Sequence, residues 1–302
     1  MSRITQKPAG APLNPWTNLS SGNANQAYGS SPATSAMATS GTGFQDASFS
    51  TYVGQKFDTS DGRELVMVAN GAAALSAGQL IQSPAEVTTA QKMAMTVPVT
   101  YPATAGLYQI LVTNSSTVLS VNQFQGGYCV IDSSTGIGQT FKVASHQAAA
   151  NGATFVVNLE DPIQTTLSAT STVSLLYNPY GGGSASQNAA VSNGVITSPV
   201  TTATGGPVGV ALYGIAASTA PIYAATTGVL TTSGVIQYGL IVCHGPVACL
   251  VDSTVTNVGY PIGVSKTTAG TVGVATLTTV PQIAVSMQTM TSAHTGLIYL
   301  ML

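Results

Sequence analysis

The sequence predicts an all-β protein: two small β-sandwich or barrel-like domains preceded by an extended N-terminal arm. Three observations carry that expectation. Short segments rich in β-branched and aromatic residues recur from Ala94 onward. Gly, Asn, Asp or Ser punctuates them at close intervals. No convincing helical period persists over ten or more residues. Many short strands with frequent turns mean a sandwich or barrel, because a βαβ fold would interleave helical patterns.

Taken in order, residues 1–60 are polar, rich in Ala, Ser and Gly, and interrupted by Pro8, Pro12, Pro15 and Pro32. No core periodicity appears there. Trp16, Phe44, Phe49, Tyr52 and Phe57 set this stretch apart from a linker, since linkers avoid aromatics. It is expected to be an arm whose aromatics meet a partner. A β domain is expected over 61–180. Its first strand is Glu64–Ala69, turning at Asn70-Gly71 toward a second extended piece that ends at Gln82. One short helix is expected from Pro84, although Val87, Thr88 and Thr89 are weak helix formers. "LYQILVT", "GGYCVID", "QTFKVASH", "TFVVNLE" and "TVSLLYN" read as strands, and "STGIGQT" as the turn between two of them. Residues 181–205 read as a linker or long loop, and 206–302 as a C-terminal β domain of eight further strand-like segments. Residues 70–81 and 253–263 share a loose rhythm of small apolar residues, a glycine and an aliphatic pair.

Only 5% of the 302 residues are charged, against roughly 25% in an ordinary soluble domain. Yet 44% are apolar. That balance is the reverse of a disordered chain. No apolar run approaches the ~20 residues of a membrane span. The net charge of −2 and the presence of just two arginines, Arg3 and Arg63, argue against nucleic acid. A surface this poor in charge suits a protein covered by partners. The N-terminal "MSRITQKPAGAPLNPW" has no apolar signal region and three cysteines form no disulfide framework, so assembly in a cytoplasm is expected.

The densest concentration of reactive residues is "QYGLIVCHGPVACLVDS", Gln237–Ser253, with Cys243, His244 and Cys249. Read as a hairpin with a two-residue turn at Gly245-Pro246, it sends the two cysteines to opposite faces. A three-residue loop would make them diagonal neighbours, roughly 7–8 Å apart and outside disulfide range. Two or three ligands fall short of the four that zinc takes. Burial as small hydrophobes is the expectation. His146 and His294 sit in turn-like contexts; Glu160-Asp161 are adjacent and so face apart; Asp58 and Asp61 lack the further acidic ligands of a calcium loop. No G-x-S-x-G elbow or phosphate loop occurs. No cofactor, metal or catalytic residue is expected, and the chain reads as a non-enzyme.

Two segments resemble a known group of proteins. Phe124–Gly182 carries "GYCVID…GIGQTFKVAS" followed by "LEDPIQTTL"; Gly206–Leu302 carries "GVALYG…YGLIV…GPVACLVD…GYPIGVS…AG…PQIAV…L". They resemble virion structural proteins of tailed bacteriophages, of the capsid decoration or cement type. Tyr238-Gly239, Gly245-Pro246, Ala248 and Val251-Asp252 fall on a hairpin element of that pattern. The resemblance implies a protein of the virion's capsid surface, assembled in the host bacterial cytoplasm. It also implies binding to the major capsid protein shell, capsid stabilisation and a homo-oligomer, commonly a trimer. A head fibre or tail receptor-binding (adhesion) protein is the alternative, and would expose Tyr177, Tyr180, Tyr213 and Tyr223 to a ligand.

Overall fold

The computed structural model describes residues 53–85, 95–98, 103–114, 118–119, 121–181, 194–199, 205–219, 222–223, 230–232, 235–275 and 282–302. Over these the protein is all-β, as its sequence predicts, with no helix. Two bodies organise the strands. One is a closed six-stranded barrel, and the other is a larger sheet that curls part-way into a barrel.

The barrel comprises β4 (Met95–Thr96), β5 (Gln109–Thr113), β6 (Tyr128–Ser133), β7 (Thr140–His146), β8 (Thr154–Leu159) and β9 (Thr172–Leu176), closed in the order β4-β5-β8-β7-β6-β9. Its strands alternate apolar and polar with period two, and the burial follows. Ile110 and Val112, Cys129 and Ile131, Phe141 and Val143, and Phe155 and Val157 all point inward. A small barrel has an interior just wide enough for such side chains to fill. "STGIGQT" forms the β6–β7 turn as read, with Gly136 and Gly138 at positive φ. Gln139 ties that turn to the 164–165 segment, donating to the Thr165 carbonyl and accepting from the Gln164 and Thr165 amides.

The second body is built from β1 (Lys56–Asp58), β2 (Glu64–Ala69), β3 (Leu80–Gln82), β10 (Ile196–Thr197), β11 (Pro207–Ala211), β14 (Tyr238–Leu250), β15 (Pro261–Val264), β16 (Val272–Val274), β17 (Gln282–Ser286) and β18 (Thr295–Met301). The order is β10-β3-β11-β14-β18-β17-β15-β16, with β2 on β14 and β1 on β2. A separate ribbon pairs β12 (Ile222–Tyr223) with β13 (Leu230–Thr232). The curl brings Gly270, beside β16, back to β3 and the end of β10: the Leu80 amide donates to the Gly270 carbonyl, and the Gly270 amide to the Ser198 carbonyl. Leu65, Leu80, Leu240, Val242, Val247, Cys249, Ile298 and Leu300 fill the inside of the curl.

These pairings cross the expected domain boundaries. β2 and β3, assigned from sequence to the 61–180 unit, pair with β14, β11 and β10. The barrel therefore sits in the chain between two parts of one sheet. The expected 181–205 linker also contributes β10. The physical reason is that β2 is buried on both faces, with Leu65 and Met67 inside the curl and Val66 and Val68 in an outer cluster. A strand so buried reads as a continuous apolar run, and nothing in that run says which distant strand lies beside it. The helix expected from Pro84 falls mostly on residues 86–94, outside the described residues, and β4 begins at Met95.

The stretch expected to be a hairpin is instead one thirteen-residue strand, β14, running through Gly245-Pro246. Its first half lies against β2 and its second against β18. The ladder slips by one residue between Val242, opposite Leu65, and His244, opposite Glu64. Gly245 follows at φ +99°, and a Cβ there would come within 2.7 Å of the Gly62 carbonyl oxygen. The bulge supplies the bend that a turn would have supplied.

Candidate interaction surface

His146 and the three cysteines are used inside the fold, whereas His294, Glu160 and Asp161 are exposed. His146 closes β7 in the barrel interior, between the rings of Phe124 and Phe155. Its Nε2 accepts from the Phe124 amide at 2.9 Å, so Nδ1 carries the proton and donates to the Gln147 carbonyl at 2.9 Å. Burial pushes its pKa below the ordinary imidazole value. All three cysteines are buried and free. Burial raises Cys129 and Cys249 to about 12 and Cys243, which also feels Glu64, to about 11. Such thiols are poor nucleophiles and poor ligands. Cys243 lies in the outer cluster with Ile241, while Cys249 lies inside the curl with Val247.

Two aspartates play matching parts. Asp132, near the end of β6 and three residues after Cys129, accepts from the hydroxyls of Thr172 and Ser174. Asp252 stands three residues after Cys249, just past β14, and accepts from those of Ser265 and Thr267. In each, hydroxyls two residues apart on a crossing segment clamp one carboxylate. This Cys-x-x-Asp pattern was legible as sequence; its hydroxyl partners were not. Six further charged groups pair locally. Lys56 bonds Glu64, Lys142 reaches Glu160 at 3.4 Å, and Arg63 reaches Asp61 at 2.7 Å. Arg63 holds the Asp61 carboxyl down at about 2, with help from the Thr59 hydroxyl. Among the described residues no three His, Cys, Asp or Glu side chains gather where a metal ion could bind.

Of the predicted contact residues, Trp16, Phe44, Phe49 and Tyr52 lie outside the described residues. Phe57, in β1, is half-buried against the core of the curled sheet. Of the tyrosines that an adhesion protein would present, Tyr177 stacks on Phe124 at 4.6 Å and Tyr180 packs on the outer cluster. Tyr213 accepts from the Leu240 amide at 3.0 Å, its pKa raised by burial. All three are half-buried, and the Tyr223 side chain lies outside the described residues.

The surface that stands out was not singled out from sequence. Beyond the bulge, even-numbered residues of β14 turn outward. Register then carries an apolar row across four strands: Pro246 opposite Tyr299, Tyr299 opposite Val285, and Val285 opposite Pro261. A second row joins Ala248, Leu297 and Met287. Directly opposed residues share a face, and the edge contact of His244 on the Tyr299 ring, centroids 5.4 Å apart, shows their common side. Leu297, Met287 and Met301 are 36–44% exposed, while their neighbours Ile298 and Leu300 are fully buried. β14, β15, β17 and β18 contain no Asp, Glu, Lys or Arg. A groove of about 470 Å3 borders this face, lined by Pro246, Ala248, Leu297, Ala77 and the Asp61–Arg63 pair. The signal in the sequence is the run of period-two strands without charge. Reading it requires knowing which strands are neighbours.

The chain matches no known protein family, no curated protein and no solved structure in comparisons with each.

Proposed function

We propose that this chain is a non-enzymatic virion structural protein that binds and reinforces a phage capsid shell as a decoration or cement protein. The observation that carries the reading is the apolar, charge-free sheet face on β14, β15, β17 and β18, where Leu297, Met287 and Met301 are exposed. A contiguous apolar patch on a protein surface marks an interaction site. Supporting it, the imidazole of His146 and all three thiols serve internal packing. The shell as partner rests on the sequence resemblance, and the N-terminal segment with Trp16, Phe44, Phe49 and Tyr52 is the proposed anchor. Many weak apolar and main-chain contacts, multiplied over a lattice, hold firmly without a strong single site.

The test is to mix the purified protein with expanded empty capsids and image the product by cryo-electron microscopy. Regular density across the shell, at local threefold positions, is the expected result. Density confined to a vertex or tail, or none at all, would move the assignment to the fibre or receptor-binding alternative.

A further inference from the structure

Exposure divides the methionines of the described residues into two groups. Met67, Met95 and Met290 are at most 4% exposed, whereas Met287 and Met301 are 42% and 44% exposed. Both exposed thioethers lie on the outer side of the curled sheet. Met301, in β18, stands opposite His244 and alternates with Leu297 and Tyr299. Met287 follows β17, two residues beyond Val285, and its amide donates to the Leu297 carbonyl. Met290, three residues further on, turns the other way into the core of the curl, where a Cβ on Gly296 would come within 2.1 Å of its Sδ. The cysteines offer no competing sulfur: all three are buried, and cysteine oxidation follows thiolate character and exposure.

We propose that Met287 and Met301 are oxidation sites through which a hydroperoxide turns this face from apolar to polar. In the step, a lone pair on Sδ attacks one peroxide oxygen, and an S–O bond forms as the O–O bond breaks. Sulfur gives up two electrons and the peroxide takes them. With hydrogen peroxide, the proton of the transferred oxygen passes to the departing hydroxide, which leaves as water. The product is methionine sulfoxide, with a polar S–O group in place of an apolar thioether. Met287 adjoins Leu297 and Met301 is two residues from Tyr299, so the new dipoles stand at both ends of the outward row on β18. A partner that covers this row must leave the sulfoxide oxygens unpaired or bring hydrogen-bond donors to them, a desolvation cost that a thioether does not carry. That weakening of a contact rests on the shell-binding reading above; the oxidation itself does not.

The full-length protein is treated with hydrogen peroxide at neutral pH and sampled over time for peptide mapping by mass spectrometry. Circular dichroism on each sample establishes that the fold is kept. Met287 and Met301 should each gain one oxygen at least about tenfold faster than Met67, Met95 and Met290, which react only when the core opens. Retention on a hydrophobic-interaction column should fall with treatment. The Met287→Leu/Met301→Leu variant keeps the face apolar without a sulfur, and the fall should be largely absent from it. Equal rates at all five methionines, protection of Met287 and Met301, or an equal fall in the variant would each overturn the proposal. Capsid binding is measured separately. Untreated protein that fails to bind would remove the shell reading and leave the oxidation map standing. Treated wild type that binds as tightly as untreated protein would overturn the consequence for the contact.

Discussion

Cys243 and Cys249 stand on one strand, an even number of residues apart, yet face opposite sides of the sheet. Even spacing in a regular strand would place them on the same side. The one-residue slip between Val242 and His244 reverses the alternation. No disulfide can join them across the sheet. A thiol reagent at neutral pH should label none of the three cysteines in the folded protein and all three in denaturant. Fast native labelling would contradict their burial. The folded thiols keep their protons to about 11–12, whereas exposed thiols ionise near 9.0. The unfolded chain therefore releases protons first, and the thiols' contribution to stability should be full below pH 9 and be lost as pH rises from 9 toward 12. Denaturant melts at stepped alkaline pH would check this.

Gly245 makes the slip possible. Gly245→Ala must hold a side chain at φ +99° with its Cβ 2.7 Å from the Gly62 oxygen. Destabilisation of about 2 kcal/mol is expected, read as a lowered urea midpoint at constant slope. An unchanged midpoint would mean that the bulge relaxes freely.

His146 is required neutral, as acceptor for the Phe124 amide. Its folded pKa lies below the ordinary 6.5, so the unfolded chain binds the proton more readily. Stability should hold above pH 6.5 and decline as pH falls below it. His146→Phe keeps a ring but leaves the Phe124 amide unpaired, at a cost of about 1–3 kcal/mol. It should also flatten the pH dependence between neutral and mildly acid conditions. A variant that retains the wild-type slope would place the titration elsewhere.

The barrel has its own core and no free edge. A fragment spanning residues 90–181 should fold alone, with a cooperative melt and a β spectrum. A fragment spanning 206–302 lacks β2 and β3, which flank β14 and β11, and should fail to fold. Cooperative folding of the second fragment would restore the boundaries expected from sequence.

Deleting residues 2–52 should abolish capsid binding and leave the melting temperature near that of the full chain. The cut stops there because the Gly54 amide donates to the Met67 carbonyl, the Met67 amide donates to the Gln55 carbonyl, and Phe57 packs on the core. Unchanged capsid binding would remove the N-terminal segment as the anchor.

What the sequence by itself determined is local. Alternation in "TFVVNL" and "YCVIDS" declares half-buried strands, and glycines in "STGIGQT" declare the turn between two of them. These follow from contacts between near neighbours, which a linear pattern records. Tertiary structure alone decided which strands lie side by side. Glu64–Ala69 carries no mark of its pairing with Tyr238–Val242, because backbone hydrogen bonds are the same whatever the partner. Gly245-Pro246 fits a turn and a bulge equally well, and the choice fell to β2 and β18, which hold the two halves of β14 in one ladder. The outer apolar face is a product of that same choice. Pro261, Val285, Tyr299 and Pro246 become a surface only when register sets them in a row.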